Sequence, residues 1–140
     1  MHMKGAPETM QQDPTYDFVP VEIYEFLKQR VAAAIAAGIP ASSIAIDPGF
    51  GFGKTVTHNL QLVNWLSLFH GLGVVVLFGA SRKSSIARIS AGEPVEARLP
   101  GSLALAAAAW RQNVQIIRVH DVAETAQALA VEAALLATNS

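Results

Sequence analysis

The chain has 140 residues, 51% of them hydrophobic and 15% charged, and a formal net charge of −1. This composition argues for one well-buried domain and against disorder, and the balanced charge offers no general attraction for nucleic acid or an anionic membrane. The absence of cysteine excludes disulfides and thiolate metal sites. Since no apolar run has the length of a signal peptide or a membrane span, we expect a soluble cytoplasmic protein.

Helical and strand-like segments alternate in the first half of the chain. Apolar residues at helical spacing predict a helix over residues 17–37, and a short strand follows at residues 43–47. Residues 57–70 predict a second amphipathic helix, for which we expect Thr57 as the N-cap and Gly71 as the C-cap.

The same alternation continues to the end of the chain. Its elements are a valine-rich strand buried on both faces (74–79), a short helix (84–89), an alanine-rich helix (101–113), a strand (114–120) and a last helix from Asp121. Asp121 and Glu124 have the spacing of a capping box. Apolar strands that alternate with helices predict an α/β fold with a parallel sheet.

Each predicted strand runs into a polar cluster at its C-terminal end. Asp47 precedes a glycine-rich loop, residues 79–84 read GASRKS, and Arg118 and His120 end the third strand. The first residues, MHMKG, look like the end of a further strand. Because ligands of α/β folds bind at the carboxyl ends of the strands, we expect these clusters to share one rim.

The glycine-rich loop (residues 48–55, PGFGFGKT) looks like a phosphate loop but matches neither phosphate-binding pattern. Walker A requires glycine where Pro48 stands, and the dinucleotide fingerprint requires glycine where Lys54 stands. A carboxylate at the strand end would also repel phosphate. Asp47 is better suited to a ring edge with two parallel N–H donors, such as that of a guanine or a pterin. The alternative is that Asp47 only caps the glycine turn.

Basic residues follow the other two strands. Lys83 can contact an anion or a ring carbonyl, and the helix that starts near Ser84 adds N–H groups, unless this segment is only a solvated basic turn. Arg118 and His120 are two apart on a strand and would share a face that binds phosphate, unless both face solvent. One acid and several bases on one rim predict a ligand with a donor-rich ring and a phosphate tail.

Five segments, in this order, resemble motifs of the dihydropteroate synthase family: MHMKG, IAIDPGFGFGKT followed by His58 and Asn59, GASRKS, GSLALAAAA and IIRVHDV. The resemblance covers nearly the whole chain and corresponds to the C-terminal half of the family. It implies a (β/α)8 TIM barrel, which takes roughly 250 residues when complete. We therefore expect residues 1–140 to form a single partial pterin-binding domain, units 5–8 of an incomplete barrel whose N-terminal half is absent.

The resemblance also implies an activity. Enzymes of this family condense 6-hydroxymethyl-7,8-dihydropterin diphosphate with 4-aminobenzoate, which gives 7,8-dihydropteroate and pyrophosphate in folate biosynthesis, and sulfonamides target them. It further implies a Mg²⁺ cofactor, whose protein ligand lies in the missing N-terminal half, and a homodimer. We expect the isolated chain to have little or no activity, because half of the site is missing.

Motif by motif, the resemblance assigns roles to residues at the strand ends. Lys83, Arg118 and Asp47 are expected to be catalytic. The residues expected to bind the pterin are Asp47, Lys83, Phe52, Gly79, Met1 and Arg118. By the same carry-over, 4-aminobenzoate would contact Lys83 and Ser84, and the diphosphate would contact Arg118 and His120. No set of His, Asp and Glu residues has the spacing of a metal site.

Two other interpretations fit the same residues. The chain could be a pterin-binding module related to pterin-dependent methyltransferases, which also hold a pterin with an acid, although the SRKS and RVH segments favour a diphosphate substrate. It could instead be an inactive fragment that aggregates through open sheet edges.

Overall fold

The computed structural model describes residues 1–5 and 14–138. Its elements are α1 (Val19–Ala36), β1 (Ala45–Ile46), α2 (Val56–Asn64), β2 (Val75–Phe78), α3 (Ser84–Ile89), α4 (Leu99–Trp110), β3 (Ile116–Ile117) and α5 (Val122–Ala137). Short 3₁₀ helices occupy Ala41–Ser43, Leu66–Leu72 and Val95–Ala97. The predicted alternation is confirmed, with shorter strands than expected. In the part of the chain that the structure describes, no helix combines the length and apolarity needed to cross a membrane.

The three strands form one parallel sheet in the order β1–β2–β3. Ala45 pairs with Val75, and Phe78 pairs with Ile117. The N-terminal residues run beside β1, since the amide of His2 donates to the carbonyl of Asp47 at 2.9 Å. The segment that we expected to end a further strand therefore lies against the sheet, although it has no strand geometry itself.

Helices cover one face of this sheet. In β2, Val76 and Phe78 are buried in a core that α1, α2 and α4 share, whereas Val75 and Leu77, on the opposite face, are only half-buried. The expectation that this strand is buried on both faces is thus wrong for the described residues. A parallel sheet with helices on one face has the layering of a barrel wall, while a doubly wound sheet carries helices on both faces.

The predicted caps of the second helix are wrong in position. Thr55, and not Thr57, begins α2: its Oγ1 accepts from the amide of His58 at 3.1 Å, and His58 Nδ1 accepts from the amide of Thr55 at 3.3 Å. After α2 the chain continues as a 3₁₀ helix that ends at Gly73, with a left-handed φ of 68°, and not at Gly71.

Asp121 has a long-range partner in place of the predicted capping box with Glu124. Its side chain makes no capping hydrogen bond to α5. It accepts instead from both sides of the Arg82 guanidinium, with Nε 3.0 Å from Oδ2. This hydrogen-bonded pair lowers the pKa of Asp121 and raises the pKa of Arg82. The contact ties the turn after β2 to the start of α5.

Replacing Thr55 with alanine should lower the free energy of unfolding by about 1 kcal/mol, because the amide of His58 loses its acceptor at the N-terminus of α2. Thr57→Ala is the matched control, since Thr57 is exposed and makes no cap; its effect should stay below about 0.5 kcal/mol. Urea unfolding of both variants measures the difference. Equal losses would contradict the observed cap.

Candidate functional site

The strand ends bring the predicted polar residues to one edge of the sheet, which we call the rim. Asp47 follows β1, Lys83 follows β2, and Arg118 follows β3. Burial lowers the pKa of Lys83 to about 8, the carboxylate of Asp47 opposes this shift, and the positive charge of Arg118 adds to it. The three charges therefore form one electrostatic cluster.

Asp47 uses one carboxylate oxygen within the loop. Its Oδ1 accepts from the amide of Gly49 at 2.7 Å, so the alternative of a turn cap describes this oxygen. Among the described residues, none donates a hydrogen bond to Oδ2. Asp47 can therefore cap the turn and still accept from a ligand.

A buried lysine holds the glycine-rich loop together. Lys54 is 2% exposed, and its Nζ lies 2.8 Å from the carbonyl oxygen of Gly49 and 2.9 Å from that of Phe52. It also lies 3.1 Å from His2 Nδ1. Burial lowers the pKa of Lys54 to about 7 and that of His2 to about 4. Between these two pH values Lys54 is an ammonium and the neutral imidazole can accept from it. In the sequence, Lys54 is notable only because it stands where the dinucleotide fingerprint requires glycine.

Three further side chains anchor the backbone of the same loop. Lys83 Nζ donates to the carbonyl of Phe50, Asn59 Oδ1 accepts from the amide of Gly51 at 2.8 Å, and Tyr16 Oη donates to the carbonyl of Gly53 at 2.8 Å. Asn59 is itself buried and donates to Ser85 Oγ at 3.1 Å. Lys83 and Asn59 belong to quoted motifs, whereas Tyr16 carries no local sequence signal.

Three glycines in the loop, Gly49, Gly51 and Gly53, make room for close neighbours. Gly49 has a φ of 78°, and a Cβ there would lie 1.9 Å from the carbonyl oxygen of His2. Gly51 has a φ of 82°, and a Cβ there would lie 3.0 Å from Lys83 Cδ. Larger residues would therefore displace the N-terminal segment or the side chain of Lys83.

The side chain of Lys83 lies over the aromatic ring of Phe52 in the loop. Its Nζ lies 4.1 Å from the centroid of the Phe52 ring, within the range of a cation–π contact. Phe52 is half-buried at the rim. The structure thus places a carboxylate, a flat aromatic face and an ammonium side by side in Asp47, Phe52 and Lys83.

Arg118 and His120 lie over the segment that follows β2, and both are exposed. The guanidinium of Arg118 rests against Gly79, with Nε 3.3 Å from where a Cβ of that residue would be. His120 Nδ1 lies 2.9 Å from Ser81 Oγ, which also accepts from the amide of His120 at 3.2 Å. When the serine hydroxyl donates to Nδ1, the ring proton resides on Nε2, which can then donate to an anion. Ser81 lies in the GASRKS segment, but no sequence pattern assigns it a separate role.

Met1 and Ser84 lie at the edges of the cluster. Met1 is 58% exposed and precedes His2, whose amide binds the carbonyl of Asp47. Ser84 is the exposed first residue of α3. Neither side chain makes a hydrogen bond to another described residue, so their predicted ligand contacts remain predictions.

The described residues do not fit a magnesium site by themselves. Across residues 1–5 and 14–138, no group of three or more His, Asp or Glu side chains could hold a metal ion. Asp121, the other acid near the rim, is bound to Arg82. The Mg²⁺ that the resemblance implies would need ligands from elsewhere.

The sequence of the chain matches a family of pterin-binding enzymes. Residues 1–120 match the family described as pterin binding enzyme. The dihydropteroate synthase of Escherichia coli K12 is 46% identical over 136 residues, which cover 97% of this chain and 48% of that protein. The chain spans about half the length of the curated relatives that it matches.

Solved structures agree with this match. The dihydropteroate synthase of Yersinia pestis, in a sulfonamide drug complex, has a TM-score of 0.93 and 41% identity over 98% of this chain and 50% of that chain. The Xanthomonas albilineans enzyme in complex with 7,8-dihydropteroate has a TM-score of 0.86 and 45% identity over 89% of this chain and 47% of its own. The latter enzyme was also solved with 4-aminobenzoic acid. The similarity confirms the resemblance drawn from the motifs and the predicted α/β fold, part of a barrel.

Gly49→Ala should destabilise the chain by at least about 3 kcal/mol more than Gly92→Ala, because Gly49, unlike Gly92, combines a left-handed φ with a backbone oxygen in contact. Gly92 is the matched control, with a φ of 82° and no atom within 4 Å of an added Cβ. Chemical denaturation of both variants measures the difference. Similar losses would show that His2 does not pack against this loop.

Proposed function

Because the chain belongs to the family of pterin-binding enzymes, we propose that it carries the pterin and diphosphate sites of a dihydropteroate synthase. The proposed reaction joins 6-hydroxymethyl-7,8-dihydropterin diphosphate to 4-aminobenzoate and releases pyrophosphate. The single observation that carries the proposal is the cluster of Asp47, Phe52 and Lys83 at the rim. It lies next to a loop in which the carbonyls of Gly49, Phe50 and Phe52 accept from lysine side chains. The 7,8-dihydropteroate and 4-aminobenzoic acid bound to the related Xanthomonas albilineans enzyme support the same reaction.

In this proposal, the pterin lies against the glycine-rich loop. Asp47 accepts N–H donors from the amino-pyrimidine edge with the oxygen that the turn leaves available, as carboxylates accept from planar pairs of donors. The ring of Phe52 offers a flat apolar face, and Lys83 donates to the ring carbonyl. The pKa of Lys83 at about 8 keeps its amine largely protonated at neutral pH. Gly79 and Met1 would complete the pocket wall.

The diphosphate and 4-aminobenzoate would occupy the other side of Lys83. Arg118 and the Nε2 of His120 donate to the diphosphate and stabilise the charge that develops as pyrophosphate leaves with the electrons of its C–O bond. The amine of 4-aminobenzoate then attacks the methylene carbon and loses a proton, while Lys83 and Ser84 hold its other end. Positioning and stabilisation of charge suffice for this chemistry, so no protein nucleophile is required.

Further parts of the proposed enzyme lie outside the described residues. Ile116 of β3, the last strand of the sheet, is 42% exposed, and the face of β2 that carries Val75 and Leu77 is only half-buried. We propose that four further β/α units close the barrel there and bring the ligand for Mg²⁺, and that the complete enzyme is a cytoplasmic homodimer.

Asp47→Asn should weaken the binding of 6-hydroxymethylpterin about tenfold to a hundredfold, because a charged acceptor contributes about 1.5–3 kcal/mol. Asparagine keeps an oxygen for the amide of Gly49, so the turn survives and only the acceptor for the ligand is lost. Isothermal titration calorimetry measures the change. Asp17→Asn, the same substitution at an exposed site, should bind as the wild type does.

An unchanged affinity in Asp47→Asn would mean that this residue only caps the turn. The same titration, repeated with the pterin diphosphate, separates the two enzyme classes. A diphosphate that improves affinity supports the synthase, and one that adds nothing supports a pterin-binding module of the methyltransferase type.

The activity itself can be tested by reconstitution. We expect the 140-residue chain alone to form little dihydropteroate, and a mixture with the separately produced N-terminal half of the Escherichia coli relative to form it. A chain carrying Arg118→Met, mixed in the same way, is the control and should lose at least about 1.4 kcal/mol of transition-state stabilisation, a tenfold lower rate. A mixture without product, in which sizing chromatography shows both halves unaggregated and associated, would contradict the proposal.

A further inference from the structure

Lys54 is a buried charged side chain to which the proposed chemistry gives no role. It is 2% exposed, so it cannot contact a ligand at the rim. Its ammonium nevertheless joins two parts of the chain that are 52 residues apart, the glycine-rich loop and the N-terminal segment at His2. A buried charge of this kind is unfavourable unless its hydrogen bonds are made, and here all three N–H donors have an acceptor.

The two loop carbonyls that Lys54 binds belong to the residues on which the site depends. Gly49 supplies the amide that fixes Asp47 Oδ1, and its own carbonyl accepts from Lys54. Phe52 supplies the aromatic face, and its carbonyl also accepts from Lys54. One ammonium thus binds the loop backbone at Phe52 and at Gly49, whose amide donates to Asp47.

We propose that Lys54 is a positioning residue for pterin recognition, which fixes Asp47 and Phe52 relative to each other by tying the carbonyls of Gly49 and Phe52 to His2. The inference rests on the proposed function, because it presumes that Asp47 and Phe52 bind a pterin. It goes beyond that function because it assigns a role in pterin binding to a buried residue that does not itself contact the ligand.

The diphosphate side of the rim provides an internal reference. Arg118 and His120 are held by Gly79 and Ser81, which follow β2, and none of these four residues bonds to Lys54. A loss of the loop geometry should therefore weaken the binding of a pterin and spare the binding of inorganic pyrophosphate. A general loss of structure would weaken both.

Lys54→Met keeps the length and the apolar stem of the side chain but removes its donors. We expect 6-hydroxymethylpterin to bind at least about tenfold more weakly to this variant, because the competent loop is populated less often. Pyrophosphate should bind within about twofold of the wild type, since its partners are unaffected. Calorimetry with both ligands, on the same preparations of the full chain, measures the two affinities.

A chemical rescue tests whether the ammonium is responsible. The chain contains no cysteine, so Lys54→Cys introduces a single thiol, which bromoethylamine converts into a lysine analogue in denaturant before refolding. The alkylated protein should recover pterin affinity to within about threefold of the wild type, and the untreated variant should behave as Lys54→Met does, because only the former carries the donors.

The outcomes separate the two proposals. A wild-type chain that binds pyrophosphate but no pterin overturns the proposed function. A wild-type chain that binds the pterin, together with a folded Lys54→Met variant of equal affinity, overturns only the role of Lys54. Equal losses for pterin and pyrophosphate overturn it as well, because they indicate a general effect on the fold.

If Lys54→Met does not fold, the wild type decides the question. Because coupling is reciprocal, a pterin that requires the tied loop must stabilise it in return. The ammonium protons of Lys54, followed by NMR among the four lysines of the chain, should exchange more slowly with 6-hydroxymethylpterin and at an unchanged rate with pyrophosphate. An exchange rate that the pterin does not change would overturn the inference.

Discussion

The ammonium of Lys54 makes the hydrogen bonds on which the arrangement of the glycine-rich loop depends. Removing a charge from water is costly, and the cost is offset only where acceptors replace the lost hydration. Here the acceptors are two loop carbonyls and a neutral histidine ring, so the loop and the N-terminal segment must both be in place for the lysine to be buried. The loop then presents Phe52 to Lys83, whose own ammonium binds the carbonyl of Phe50. The loop at the rim is thus held in place by the hydrogen bonds that the amines of Lys54 and Lys83 make to its carbonyls.

The layering of the chain explains why these groups meet at all. Helices pack on the face of the sheet that carries Val76 and Phe78, and parallel pairing points all three strands the same way. Their carboxyl ends must then lie side by side, although Asp47 and Arg118 are far apart in sequence. No two charged groups of the cluster come from the same strand end. The site is accordingly a property of the sheet, and its dimensions follow the spacing of neighbouring strands.

The sequence predicts those features that local patterns determine. Among the described residues, periodicity located the five α-helices and the three strands but not the 3₁₀ helices at Ala41–Ser43 and Val95–Ala97. The polar residues at strand ends identified Asp47, Lys83 and Arg118 as neighbours. The sequence did not identify two tertiary contacts, because their partners are distant: Lys54 and His2 are 52 residues apart, and Arg82 and Asp121 are 39 apart.

Cap positions failed for a related reason. Two threonines lie within three residues at the start of α2, and either hydroxyl could serve as the cap by composition. The path of the preceding loop decides between them, and that path depends on tertiary contacts.

The two phenylalanines of the glycine-rich loop have different environments: Phe50 is packed in the core and Phe52 lies at the rim. Phe50 is 1% exposed and packs edge-on against Phe78, with ring centroids 5.6 Å apart, whereas Phe52 faces the rim. Because the loop is anchored through the carbonyl of residue 52 and not through its ring, other side chains at this position would meet the same backbone. Substitution at position 52 would therefore reshape the exposed surface of the rim while the backbone anchor at its carbonyl stays in place.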